Sequence, residues 1–186
     1  MGMEIQPIID SQMSFDESIA DHVIPAEIKE TLSLADVQYV SFDGLLHQGQ
    51  LVIHNAVVEE VVEIFKEILA TQFPIEKAIP IVAYDWDDER SMQDNNSSAF
   101  NYRLIRSTEI PSNHSYGLAI DLNTRLNPCV GRDGISTPIG ATYDPSKPGT
   151  LTADSEAVRA LISRGWDWGG NWPRKDWQHF AKTLPA

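Results

Sequence analysis

An α+β fold, a small antiparallel sheet with flanking helices, is the class this sequence predicts. Three observations lead there: a length suited to a single core, one long stretch of helical periodicity, and several short runs of strand type around it. With 186 residues, 42% of them apolar and 22% charged, the chain matches ordinary globular usage for one domain. From Val57 to Phe73 the apolar residues Val57, Val58, Val61, Val62, Phe65, Ile68 and Leu69 recur at helical spacing. Glu59, Glu60, Glu63, Lys66 and Glu67 take the other side, so the stretch reads as a core-packing helix with a solvated acidic face.

Ahead of that helix, Val37 to Phe42 and Gln50 to His54 read as strands paired across the Gly44 to Gly49 connection. Ser14 to Ile19 and Pro25 to Leu34 read as short helices, with Pro25 at a first helical position. Behind it, Ile79 to Tyr84 is a short apolar run that ends in an acidic loop, Asp85 to Asn96. Phe100 to Ile105 and Tyr116 to Leu122 are the next strand candidates. The Gly/Pro-rich connection from Asn127 to Gly149 is too long for a simple turn and is a candidate for shaping a cleft. Asp154 or Ser155 can cap a helix running through Ser163 and ending at Gly165. Four of the five tryptophans lie between Gly165 and Phe180. Of these, Trp166, Trp168 and Trp172 read as packing for core and cleft wall, and Gly169 and Gly170 as a place where backbone passes close to a site.

Charge and cysteine usage narrow the chemistry. A net charge of −13 repels phosphate backbones, which argues against a nucleic-acid partner. The single cysteine, Cys129, excludes an intramolecular disulfide and a Cys-rich metal site, leaving His and carboxylates as metal ligands. No apolar run approaches the ~18 residues of a membrane span, and the start of the chain lacks the basic and apolar regions of a signal peptide.

The most informative stretch is Ser112-Asn113-His114-Ser115-Tyr116-Gly117-Leu118-Ala119-Ile120-Asp121. His114 and Asp121 stand at an odd offset, which sends them to opposite faces of a straight strand. Gly117 supplies the freedom for a bend, after which Leu118, Ile120 and Leu122 face the core while Ala119 and Asp121 face the other way. In Asp176-Trp177-Gln178-His179, the interval of three brings Asp176 and His179 together on a helical turn or tight loop. A catalytic zinc site takes three protein ligands and a water, a count that His114, Asp121 and His179 meet, with Asp176 as the nearby proton carrier. Residue by residue, blander roles stay open: a core histidine bonded to a backbone carbonyl, an aspartate ending a strand, and an Asp176 that begins a helix.

The pattern Ser-x-His-x-x-Gly-x-Ala-x-Asp, followed by Trp-Asp-Trp-Gly-Gly-Asn-Trp and Asp-Trp-Gln-His-Phe, resembles the VanY-type D-alanyl-D-alanine carboxypeptidases and the related phage L-alanyl-D-glutamate endopeptidases. Phe100-Asn101-Tyr102-Arg103, Asn123 and Asn127-Pro128 extend the resemblance, which covers roughly Ile79 to Phe180. It implies a Hedgehog/DD-peptidase-like fold and one zinc ion held by His114, Asp121 and His179. It also implies a catalytic carboxylate at Asp176, a basic residue near the scissile bond at Arg103, and a peptidoglycan stem peptide as substrate. Ser112 is then a hydrogen-bonding support. On this reading residues 79–186 form the catalytic core, residues 1–78 are an extension packed on the same domain, and the substrate class implies a periplasmic or cell-wall location. D-alanyl-D-alanine carboxypeptidase is the leading expectation, with L-alanyl-D-glutamate endopeptidase as the alternative. The likeness of this fold to the Hedgehog signalling domain adds a third possibility, a non-catalytic zinc-binding module.

Overall fold

The structure, a computed structural model, describes residues 6–105, 108–131 and 133–185. It is an α+β arrangement of small sheets and a few helices. The N-terminal part runs β1 (Ile8–Ile9), α1 (Phe15–Ser18), α2 (Ala26–Lys29), β2 (Leu32–Val40), β3 (Leu46–His54) and α3 (Val58–Ala70). Next come β4 (Lys77–Ala78), α4 (Asp88–Gln93) and β5 (Asn96–Ser97). The C-terminal part holds β6 (Ala119–Asp121), β7 (Cys129–Val130), β8 (Ser136–Thr137), α5 (Glu156–Ile162), β9 (Asp167–Trp168) and β10 (His179–Ala181). Among the described residues no helix is long and apolar enough to cross a membrane.

In the first sheet, ordered β1-β3-β2, β2 and β3 pair antiparallel along their whole length and β1 adds a short parallel edge. The pair is longer than the hairpin read from sequence, and Leu32 to Leu34, expected at the end of a helix, belong to β2. The helical pattern stops after Ala26–Lys29 because the next residues take strand pairing with Ile53 and His54 instead of a lone helical turn. Ser14 caps α1 through a reciprocal bond with Glu17, a local signal that needs no tertiary partner.

Helix α3 buries Val61, Ile64, Phe65 and Ile68 and packs on β2 and on α5. Its buried face joins Val37, Leu51 and Ile53 from the first sheet to Ile120, Leu122, Trp168 and Phe180 from the C-terminal sheet in one apolar cluster. That second sheet, ordered β6-β10-β9 and antiparallel throughout, carries the candidate site.

Two further expectations are corrected. The acidic stretch after Tyr84 contains helix α4, capped by Asp87, whose side chain accepts from the Arg90 amide. The start signal was present as an aspartate before an acidic first turn. Phe100 to Ile105, expected as a strand, forms none beyond a single bridge between Leu104 and Pro111. The main-chain groups of Arg103 are taken by the Ser115 hydroxyl, which accepts from its N–H at 2.9 Å and donates to its C=O at 2.6 Å. A side chain thus substitutes for a neighbouring strand.

Candidate metal centre

The turn that presents His114 is built from local chemistry. Ser112 opens a 3-10 turn over Asn113–Tyr116, its hydroxyl accepting from the His114 amide at 3.3 Å. Gly117 closes the turn in the left-handed region at φ 64°, with its amide on the His114 carbonyl. A Cβ there would stand 2.6 Å from the His54 nitrogen and 2.9 Å from the Ile53 carbonyl carbon, so both the conformation and the close approach require glycine. After this bend β6 begins, shorter than the strand expected over Tyr116 to Leu122. Ile120 and Leu122 enter the core, and Asp121 is turned to the opposite side of the sheet.

Asp121 and His179 are register partners on β6 and β10. Facing residues of an antiparallel pair bring their side chains together across about 5 Å, and here His179 Nδ1 lies 3.0 Å from Asp121 Oδ1. His114 reaches the same point from the bend, its Nε2 3.3 Å from Asp121 Oδ2 and 3.2 Å from His179 Nδ1. The other nitrogen, His114 Nδ1, contacts the carbonyl of Ala99. A proton on Nδ1, donated to that oxygen, leaves the Nε2 lone pair directed at the cluster. The backbone-carbonyl partner considered for His114 is therefore real, and it orients the ring without using the nitrogen a metal would need.

His114 and Asp121 are buried and His179 is half-buried, with one ligand atom from each within 4.8 Å of the others. Ligand atoms bound tetrahedrally to zinc at about 2.0–2.1 Å stand roughly 3.3 Å apart. The two imidazole nitrogens stand 3.2 Å apart, and they lie 3.0 and 3.3 Å from the two different oxygens of Asp121, spacings of the order that an ion of that size needs. The donor set, two imidazoles and a carboxylate, also fits zinc. Burial would raise the Asp121 carboxyl, but the two imidazoles overcome it and hold the group well below the usual carboxylate range. His114 is shifted upward, the Asp121 charge outweighing a burial that acts in the other direction.

Asp176 and His179 share a tight turn, with the His179 amide 3.3 Å from the Asp176 carbonyl. Asp176 begins no helix. Its backbone is fixed on one side by Gly169, where a Cβ would meet the Asp176 carbonyl oxygen at 2.4 Å. On the other side β7 pairs with it, Cys129 bridging to Asp176 and Val130 bonding to Lys175. The Asn127 to Gly149 connection thus folds its first strand against the site, and Tyr143 farther along stacks on Trp177 at 3.9 Å. Asp176 Oδ1 is buried and, among the described residues, has no hydrogen-bond partner. Burial first, and then the nearby Asp121 charge, raise the Asp176 carboxyl above its ordinary value. Cys129, which sequence reasoning left out of the site, has its thiol pushed up to about 12 by burial and by Asp176.

Trp166 and Trp168 are buried in the core, and Trp172 stands with its ring centroid 5.4 Å from that of His179. Arg103 does not touch the three converging side chains. It pairs with Asp88 of α4, while its backbone is clamped by Ser115, the neighbour of His114. Asp88 carried no signal in the sequence beyond its place in an acidic run.

One buried and one half-buried imidazole and a buried carboxylate, the His114 ring oriented by a backbone carbonyl and the group flanked by a carboxylate of raised proton affinity, form a donor set suited to a single metal ion. Residues 106–182 match the model of a family described as D-alanyl-D-alanine carboxypeptidase, which supports a peptidase. The match spans His114, Asp121, Asp176 and His179, and Arg103 lies just ahead of it. No curated protein and no solved structure matches the chain.

Proposed function

We propose that this protein is a zinc metallopeptidase that hydrolyses peptide bonds at D-amino acids in peptidoglycan stem peptides, acting as a D-alanyl-D-alanine carboxypeptidase. The observation that carries the proposal is the convergence of His114, Asp121 and His179 beside a buried Asp176 Oδ1 that has no hydrogen-bond partner among the described residues. The family description over residues 106–182 supports the choice of substrate.

In this reading His114 Nε2, His179 Nδ1 and Asp121 hold the ion. The chemistry available at those three ligands with zinc bound is acidification of a water and polarisation of a carbonyl. Asp176 accepts a proton from the attacking water and delivers it to the leaving amine as the C–N bond breaks and the carbonyl carbon gains the water oxygen. A carboxyl whose proton affinity is raised by burial suits a group that must take a proton and give it back. Arg103 supplies positive charge for the free C-terminal carboxylate of the substrate or for the developing oxyanion.

Asp176→Ala tests the assignment. The variant is expected to keep one zinc per chain by metal analysis while release of D-alanine from a pentapeptide stem falls at least ~100-fold. Unchanged hydrolysis removes Asp176 from its role. Mass spectrometry of a muropeptide digest separates the alternatives, since internal cleavage beside D-glutamate makes the protein an endopeptidase. Zinc binding without any cleavage makes it a binding module.

A further inference from the structure

The Arg103 side chain belongs to a segment without regular structure, and a long cation on such a segment loses rotamer freedom when fixed. Two neighbours, Ser115 and Asp88, hold this residue before any substrate arrives. Its backbone is held at both polar atoms by Ser115. Its Nε is in ion-pair contact with Asp88 Oδ2, without the alignment of a hydrogen bond. The second oxygen of Asp88 accepts from the buried Asn101 side-chain amide at 2.5 Å, and the Asn101 backbone N–H donates to the His114 carbonyl at 3.1 Å. Asp88 opens α4, whose start is set by the Asp87 cap. The carboxylate is therefore anchored from its own helix and from the residue two positions before Arg103.

We propose that Asp88 is a positioning residue that holds the Arg103 guanidinium by its Nε, leaving the two Nη groups to meet a substrate carboxylate or oxyanion. A guanidinium has one edge containing Nε and one end formed by the two Nη groups. Occupation of Nε by a fixed protein carboxylate selects the end for the incoming anion, which matches the fork geometry of a carboxylate. The gain is preorganisation, since the cation waits in place and the substrate need not order it. This inference rests on the role proposed above for Arg103, and the test separates the two.

Asp88→Asn keeps the size of the side chain and removes its charge. The expected result is unchanged zinc content and a loss of about 10-fold in kcat/KM, the scale of supporting-residue effects. In an Arg103→Ala background the same substitution is expected to cause no further loss, because its effect passes through Arg103. Equal losses from Asp88→Asn with and without Arg103 overturn the proposal, as does an unchanged kcat/KM. A readout independent of hydrolysis is the Arg103 Nε resonance in ¹H–¹⁵N spectra, expected to shift in Asp88→Asn as the paired charge is removed. That shift in a protein that cleaves no stem peptide upholds the positioning and removes the peptidase reading. An identical resonance in parent and variant removes the positioning.

Discussion

His47 sits between two carboxylates from separate parts of the chain. Its Nδ1 lies 3.0 Å from both oxygens of Asp10, and its Nε2 3.1 Å from Asp43 Oδ2. Asp10 also accepts from the Tyr39 hydroxyl at 2.6 Å, and that hydroxyl accepts from the Ala78 amide. Burial acts to lower the His47 pKa, but the bonds to Asp10 and Asp43 outweigh it and the value is raised. A raised folded value means that the contribution to stability is complete below the unfolded value of about 6.5 and is lost as pH rises through the folded one. The difference in urea midpoint between the parent protein and His47→Gln is expected to be larger at about pH 5.5 than at about pH 9. A difference that does not change with pH rejects the account.

The same residue scale shows how far the sequence could be read. The Gly117 bend followed from an odd offset between His114 and Asp121, and the structure places that glycine at positive φ. Asp176 and His179 sit together for the local reason given by their spacing. The contacts of Asp88, Asn101 and Cys129 were not legible because they exist only after distant segments meet, and no spacing rule encodes a contact between α4 and residue 103.

At the scale of elements, α3 was plain in the sequence because its apolar stripe repeats over several turns. Shorter pieces were not. Leu32 to Leu34 and Phe100 to Ile105 were misread since a few residues carry little propensity, and pairing with β3 or capture by Ser115 decided their conformation. The β6 and β10 pairing is the element that makes the candidate site, and strand periodicity makes it sensitive to register. A glycine inserted between Ile120 and Asp121 is expected to turn the carboxylate to the other face and reduce zinc from about one to below about 0.1 per chain. A glycine inserted after Gly134, in the exposed connection between β7 and β8, is expected to leave zinc content unchanged. Metal analysis of the two purified variants decides between these outcomes, and equal content in both removes the role given to the strand pair.

Across the whole molecule the sequence suggested one α+β fold, and one apolar cluster holds Val61, Ile64 and Phe65 of α3 together with Ile120, Leu122 and Phe180 of the site sheet. The recognisable stretch at 106–182 therefore has an inner face that something else must cover. Ile120, Leu122 and Phe180 are fully enclosed, and the helix and strands that enclose them lie among residues the family match leaves out. Shortening the chain to the part that carries the chemistry strips that cover from the back of the sheet. Expressed alone, residues 106–182 are expected to aggregate or to lack a cooperative melt, and a soluble fragment with such a melt would contradict this. The half of the chain that donates no ligand is then the wall on which the ligands hang, and any minimal version of the protein has to keep it.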